Sequence, residues 1–259
     1  MKYIFLICTL FITQFLTAQA YNVKDYGAVG DGVHLDHIAI NKAIEACASH
    51  GGGEVLIPAG KYLCGSIHLK SNIDLHLDAG AEIIGAPENR KVYDTAETFI
   101  GKQYQDGGHT FFHNSLIWGE NLYNVSITGR GKINGGGVTQ KDTEHAGNIQ
   151  GGSIGTGDKA VALKLCRNVL IRNVTIYHGG HFGIIITGCD LVTIDNLLID
   201  TNRDGIDIDA CKHVTVSNCK VNTPNDDAIV LKSSYALNKP APCENILITN
   251  CTVTGYDEG

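Results

Sequence analysis

No apolar run in the body of the chain approaches the ~18 residues needed to span a bilayer, so the sequence predicts no transmembrane helix. Basic residues are also in deficit: 20 Lys and Arg stand against 27 Asp and Glu, a net charge of −7, and they form no cluster. That argues against the phosphate footprint a nucleic-acid partner needs, yet leaves room for an anionic sugar polymer held by a few local cations. CxxC pairs and Cys/His spacings of the zinc-finger kind are missing too, which removes structural zinc.

What is present begins with residues 1–20, which read as a secretory signal. Lys2 is the basic start, residues 4–16 are apolar, and Ala18-Gln19-Ala20 is a small-x-small cleavage site. A mature chain from Tyr21, delivered to the periplasm or the medium, is expected. Loss of Lys2 takes the net charge to −8 (19 basic against 27 acidic). Eight cysteines remain: Cys47, Cys64, Cys166, Cys189, Cys211, Cys219, Cys243 and Cys251. A chain of this length buries a continuous core without disulfide staples, so Cys166, Cys189 and Cys211, which recur at a fixed interval, are read as stacked free thiols.

The remainder, residues 21–259, reads as one domain. Residues 21–32 (YNVKDYGAVGDG) suggest a strand and glycine turns. Asp36 is a plausible N-cap, and Ile38, Ile40, Ala43, Ile44 and Cys47 give the apolar stripe of a helix ending near Ser49, stopped by Gly51-Gly52-Gly53. Such a helix is placed to cap one open end of a strand-built core. Short β-type runs follow at 54–57, 61–63, 67–69, 73–77 and 81–84. Residues 86–115 are polar and aperiodic, an excursion expected to wall one side of a binding surface. Residues 135–159 form a second loose stretch.

A repeat then becomes plain. Residues 168–176 (NVLIRNVTI), 191–199 (LVTIDNLLI), 213–221 (HVTVSNCKV) and 245–253 (NILITNCTV) share the pattern x-Φ-x-Φ-x-Asn-x-x-Φ, with Φ aliphatic, at offsets of 23, 22 and 32. Residues 124–127 (NVSI) are a degenerate earlier copy. A period near 22 carrying several short β-runs is the mark of a β-solenoid. Asn173, Asn196, Asn218 and Asn250 are expected to stack as an amide ladder at one bend. Leucine-rich repeats would require a Leu-dominated consensus, and a doubly wound fold would require a helix after each strand. The longer last offset inserts about ten residues within 233–243 beside an acidic turn, and insertions in a solenoid mark its working face.

That turn is the chemical centre of the chain. Laying Ile206 over Ile229 and Ile208 over Leu231 puts Asp204 in column with Asp227, and Arg203 with Asp226. Carboxylates one strand spacing apart repel unless solvated, partly protonated or bound to a cation. A raised pKa on one would suit it to protonate a glycosidic oxygen while another activates water; three ionised groups would suit Ca²⁺. Asp207 and Asp209, at alternating strand positions, are read as plain solvated acids.

These residues resemble a family. The signal, the opening YNVKDYGAVGDG with its helix and GGGEVLIPAGKY, and the paired acidic motifs are similar to polygalacturonase-type glycoside hydrolases of family 28 across the mature chain. The resemblance implies an all-β, right-handed parallel β-helix that hydrolyses galacturonate-containing pectin with inversion, without a cofactor. The family's Asn-Thr-Asp-Gly-x-Asp matches Asn202-Arg203-Asp204-Gly205-Ile206-Asp207, with Arg203 where Thr is usual, and its Asp-Asp pair matches Asp226-Asp227. By resemblance Asp226 is the general acid, and Asp204 with Asp227 activates the water, at an acid–base separation of about 6.5–9.5 Å. Lys232, where relatives carry Ile-Lys-Ser, is a candidate for a substrate carboxylate, a surface lysine being the alternative. Asn202, Arg203 and His181 (one turn below Arg203) are placed with the substrate-binding residues; a structural role for His181 stays open.

The family's later Gly-His-Gly and Arg-x-Lys have no counterpart, and none of the eleven histidines lies beyond His213. The expectation is therefore a truncated chain with an uncovered sheet end. The preferred reading is an exported, monomeric hydrolase of pectic polysaccharide or oligogalacturonide. Its rivals are a Ca²⁺-dependent pectate-type lyase and a non-catalytic carbohydrate-binding β-helix.

Overall fold

The computed structural model of the chain describes residues 20–103, 106–138 and 154–255; apart from Ala20, the expected signal segment lies outside them. The chain winds into a right-handed parallel β-helix of three sheets. The first sheet stacks Tyr21–Asn22, Gly53–Ile57, Ile73–Leu77, Tyr123–Gly129, Arg167–Arg172, Asp190–Asp195, Lys212–Ser217 and Glu244–Thr249. The second runs from Asp31–Leu35 to Thr252–Gly255. The third, which carries the site, stacks Ile67–His68, Ser115–Glu120, Lys159–Lys164, Phe182–Thr187, Asp204–Asp209 and Ile229–Lys232. Each repeat thus crosses two sheets, with its Asn at the bend between them.

The register follows the aliphatic positions. Val169, Val192, Val214 and Ile246 form one inward column, and Ile184, Ile206 and Ile229 another. β-branched side chains suit this pleated interior, and each fully buried one contributes about 1.5–3 kcal/mol. Ile248, in column with Val216, and Val253, in column with Val221, are 42% and 53% exposed.

The helix His37–Ser49 packs against the first strands of the coil with Ala39, Ile40, Ala43, Ile44 and Cys47 buried. Two details of its reading are corrected. Asp36 makes no side-chain cap bond to the helix; its carboxylate accepts from Val29 N (2.7 Å) and Gly30 N (3.0 Å), holding the preceding turn. Ile38 is 58% exposed, because the helix buries a stripe that starts one residue later.

The amide ladder is real but interrupted. Asn196 Nδ2 donates to Asn173 Oδ1 (3.0 Å) and Asn250 Nδ2 to Asn218 Oδ1 (2.6 Å), whereas Asn218 donates to Asp195 Oδ1 (2.7 Å) instead of Asn196. All four sit at positive φ between 52° and 67°, which Asn tolerates better than other L-residues. A second ladder, Asn72–Asn124–Asn168, runs at another bend. Cys166, Cys189 and Cys211 are buried free thiols in one stack, with Cys166 N donating to Cys189 Sγ and Cys189 N to Cys211 Sγ. Among the described residues no helix is long and apolar enough to cross a membrane.

Two segments leave the coil and fold over the outer face of the third sheet. From the 86–115 excursion, Phe112 packs on Ala162, Phe182, Ile185 and Trp118 in a small apolar cluster outside the main core. The excursion is fixed by Asp94, which accepts from Trp118 Nε1 (2.8 Å) and pairs with His68 Nε2 (2.6 Å), and by Glu97, which accepts from Phe112 N and His113 N. The 233–243 insertion is pinned by Asp209, which accepts from Ser234 N (2.7 Å), Ser234 Oγ (2.6 Å) and Thr187 Oγ1 (3.2 Å). Of the stretch 135–159, residues 139–153 lie outside the described residues, and Lys159 already opens a strand.

Candidate active site

Asp204 opens a strand of the third sheet, and the turn holding Asp226 and Asp227 lies directly above it. Gly205 N donates to Asp227 O (2.9 Å) and Ile206 N to Ala228 O (3.0 Å), so the backbone fixes the register. Glycine is required at 205: a Cβ there would stand 2.3 Å from Val221 Cγ1 and 2.5 Å from Ala228 O. Asp204, Asp226 and Asp227 each bring a carboxylate oxygen within 4.8 Å of the other two. The three-acid corner forms, with Asp204 buried at 4% exposure and the other two half-buried.

Its charges are not left bare. Arg203 Nε donates to Asp226 Oδ2 at 3.0 Å. Lys232 Nζ donates to Asp204 Oδ2 at 3.0 Å and stands 3.0 Å from Asp207 Oδ2, while lying 5.9 Å over the Phe182 ring. Burial raises the Asp204 pKa to about 7, against the Lys232 ammonium and with help from the hydrogen bond to Asp226. Burial also acts to raise Asp226, but the bonds from Asp204, Asp227 N–H and Arg203 outweigh it and hold Asp226 low. The pair therefore shares one proton, resting on Asp204.

Two of the three carboxylates thus face a fixed cation. A divalent ion would have to displace both ion pairs from a corner that leaves only Asp227 uncommitted to a side-chain cation among the described residues, so the donor set does not suit Ca²⁺.

The substrate-binding expectations find these places. Lys232 lies against Asp204 and Asp207 on the outer face of the third sheet, and burial alone would lower its pKa, but the two acids drive it well above the usual lysine range. Arg203 lies on Asp226. Asn202 Oδ1 accepts from Asn225 Nδ2 on the next coil, as part of the amide stacking. His181 is 6% exposed, with its backbone N–H on Asp158 O (2.8 Å), so it presents little surface to a sugar. Below it Lys159 donates to Asp158 Oδ1 (2.6 Å) in an ion pair whose lysine has no exposed surface.

Asp207, Asp209 and His109 were not foreseen as part of the site. Asp207 and Asp209 are fully buried rather than solvated, because the two folded-over segments cover their face. Asp207 Oδ2 receives Lys232 and also His109 Nε2 (3.2 Å); its Oδ1 has no hydrogen-bond partner among the described residues. His109, in the short helix Gly107–Thr110, bonds through Nδ1 to Asp106 Oδ2 (2.7 Å) and meets Phe182 edge-on, ring centroids 5.1 Å apart. Burial would lower the His109 pKa, yet its bonds to Asp106 and Asp207 raise it to about 9. Asp207 was visible as the last acid of the motif; nothing local marked His109.

The chain spans between about a quarter and a half of the curated relatives it matches. Plasmin and fibronectin-binding protein A of Streptococcus pneumoniae is 36% identical over 181 residues, covering 68% of this chain and 23% of that protein. The exo-poly-alpha-D-galacturonosidase of Dickeya chrysanthemi is 26% identical over 287 residues, covering 93% and 47%. The solved structure of a hyperthermoactive exopolygalacturonase from Thermotoga maritima superposes with a TM-score of 0.75 at 26% identity, covering 92% of this chain and 61% of that one. A family model described as rhamnogalacturonase A/epimerase, pectate lyase-like matches residues 20–257. Since that match takes in all three sheets and both acidic turns, this chain belongs to the rhamnogalacturonase A/epimerase, pectate lyase-like family.

Proposed function

We propose that the chain is the β-helical part of an exported, monomeric glycoside hydrolase that cleaves α-glycosidic bonds of galacturonate-containing pectin with inversion. The observation that carries this is the corner itself: Asp204, Asp226 and Asp227 gather within 4.8 Å on adjacent coils, and the pKa values of the bonded pair Asp204 and Asp226 are driven apart, the first raised by burial and the second held low. The Dickeya and Thermotoga relatives support the substrate class.

The chemistry divides the trio into one acid and two carboxylates. The glycosidic oxygen must gain a proton as its bond breaks, and water must lose one as it attacks the anomeric carbon. The resemblance assigns the first task to Asp226. With Arg203 keeping Asp226 ionised in the free site, the proton reaches the leaving oxygen along the Asp204–Asp226 hydrogen bond. Asp227 and the carboxylate left behind then activate the water.

A calcium-dependent lyase is disfavoured by Lys232 and Arg203, which already neutralise two of the acids. The likeness to a plasmin- and fibronectin-binding protein favours a second reading, a binding module without turnover. Incubation with a defined oligogalacturonide separates the three. New reducing ends without ultraviolet absorbance are expected, and proton NMR of the first-formed product should show the inverted anomer. Unsaturated products, a retained anomer, or binding that is unchanged in Asp226→Asn with no turnover would each overturn the proposal.

A further inference from the structure

We propose that His109 is a positioning residue for the acidic corner: held by Asp106, it fixes Asp207 and, through Asp207, the Lys232 ammonium against Asp204. The role rests on the hydrolase reading for its consequence, but its geometry can be tested without turnover.

The relay can be followed atom by atom. Asp106 Oδ2 takes His109 Nδ1 at 2.7 Å, and the Asp106 carboxylate also accepts from His109 N (2.8 Å), so the ring is clamped by its own segment. Its other nitrogen reaches Asp207 Oδ2 at 3.2 Å, across 98 residues of sequence. The same oxygen lies 3.0 Å from Lys232 Nζ, which in turn lies 3.0 Å from Asp204 Oδ2. The groups facing His109 are therefore Asp106 from its own helix, Asp207 from the strand Asp204–Asp209, Lys232 from the strand Ile229–Lys232, and the uncharged Phe182 ring.

Lys232 is shared between two carboxyl groups, and what each gains depends on what else the other has. Asp207 has no exposed surface and, among the described residues, no partner on Oδ1, so His109 and Lys232 are its two donors there. Take His109 away, and Asp207 draws the ammonium towards itself at the expense of Asp204. Asp204 then holds its proton to higher pH. The excursion that carries His109 is in this way part of the reacting corner as well as its wall.

The test is a titration of Asp204 by carboxyl carbon NMR on protein labelled with [¹³C]aspartate, in wild type, His109→Asn and His109→Gln. Asn is too short to reach Asp207, whereas Gln places an amide donor near Nε2. The Asp204 midpoint is expected to rise by about half to one pH unit in His109→Asn and to return most of the way in His109→Gln. On an oligogalacturonide, His109→Asn should lose about tenfold in kcat with KM little changed, its alkaline limb moving up with the Asp204 midpoint. An unmoved midpoint in His109→Asn, or equal shifts in both variants, would overturn the proposal. If His109→Asn fails to fold, Asp106→Asn carries the test: it releases the ring but leaves the Asp207 bond, and a smaller upward shift is expected, its absence again overturning the relay. A wild type that shows the NMR shifts but no turnover would sink the hydrolase reading and leave the relay standing.

Discussion

Arg203 reaches across one coil to donate from Nε to Asp226 Oδ2 at 3.0 Å, so the residue that departs from the usual Thr of the resembled motif is bonded to the proposed general acid. This is the feature by which the corner differs from the pattern it resembles. Arg203→Thr would remove a cation from Asp226 and let burial raise its pKa. An opposite charge at this distance typically lowers a carboxyl by about 1–3 pH units, and roughly a third of the Arg203 side chain is exposed, so the acid limb of kcat/KM should move up by about one unit. An acid limb that stays in place would show the contact to be idle in catalysis.

The wild-type profile has a direction of its own. The pair must hold one proton, and that proton rests on an Asp204 raised to about 7. Activity should therefore fall as the pH climbs through about 7, and again on the acid side where Asp226, held below the ordinary range, takes up a second proton. An optimum in mildly acidic buffer is expected. These limbs belong to the pair as a unit. A profile flat to pH 9 would contradict the shared proton.

Removing single acids probes the division of labour. Asp204→Asn, Asp226→Asn and Asp227→Asn should each lower kcat by about 10²–10⁴, the usual share of general acid–base catalysis, with KM within a few-fold. The three losses should not add when combined, because the acids act as one unit. Kinetics on a single chromogenic or oligomeric substrate would read this directly.

The coil's stability depends on its Asn bends. Asn196 holds φ at 55° and bonds Asn173. Asn196→Ala should cost about 1.5–3 kcal/mol: about 1–2 for a left-handed L-residue and the rest for an exposed hydrogen bond. Asn196→Gly keeps the backbone conformation and should cost less than Ala. Urea midpoints of the two variants would separate backbone from ladder, and equal losses would assign the effect to the amide bond alone.

Much of the molecule was legible in its residues because a β-helix is read one coil at a time. The period near 22, the aliphatic columns and the bend asparagines are local signals, and they specify which side chains stack. Laying Ile206 over Ile229 was enough to bring Asp204, Asp226 and Asp227 to one corner, since a one-residue slip would have turned the aliphatic set out of the core. The ladder's break at Asp195 escaped this reasoning, because two acceptors lie within reach of Asn218 and only packing selects between them.

The amino-acid sequence by itself determined the coil, its register and the meeting of the three acids, because those follow from a repeating pattern and the fixed spacing of parallel strands. The register also put Arg203 beside Asp226; tertiary structure alone decided that Lys232 answers Asp204 and Asp207. The excursion and the insertion have no period, so nothing local says that they cover the third sheet, bury Asp207 and Asp209, and bring His109 to a strand 98 residues away. Lys232, whose position on the strand was foreseeable, lies on the outer face of the third sheet against Asp204 and Asp207, since buried carboxyl groups attract an ammonium more strongly than solvated ones do.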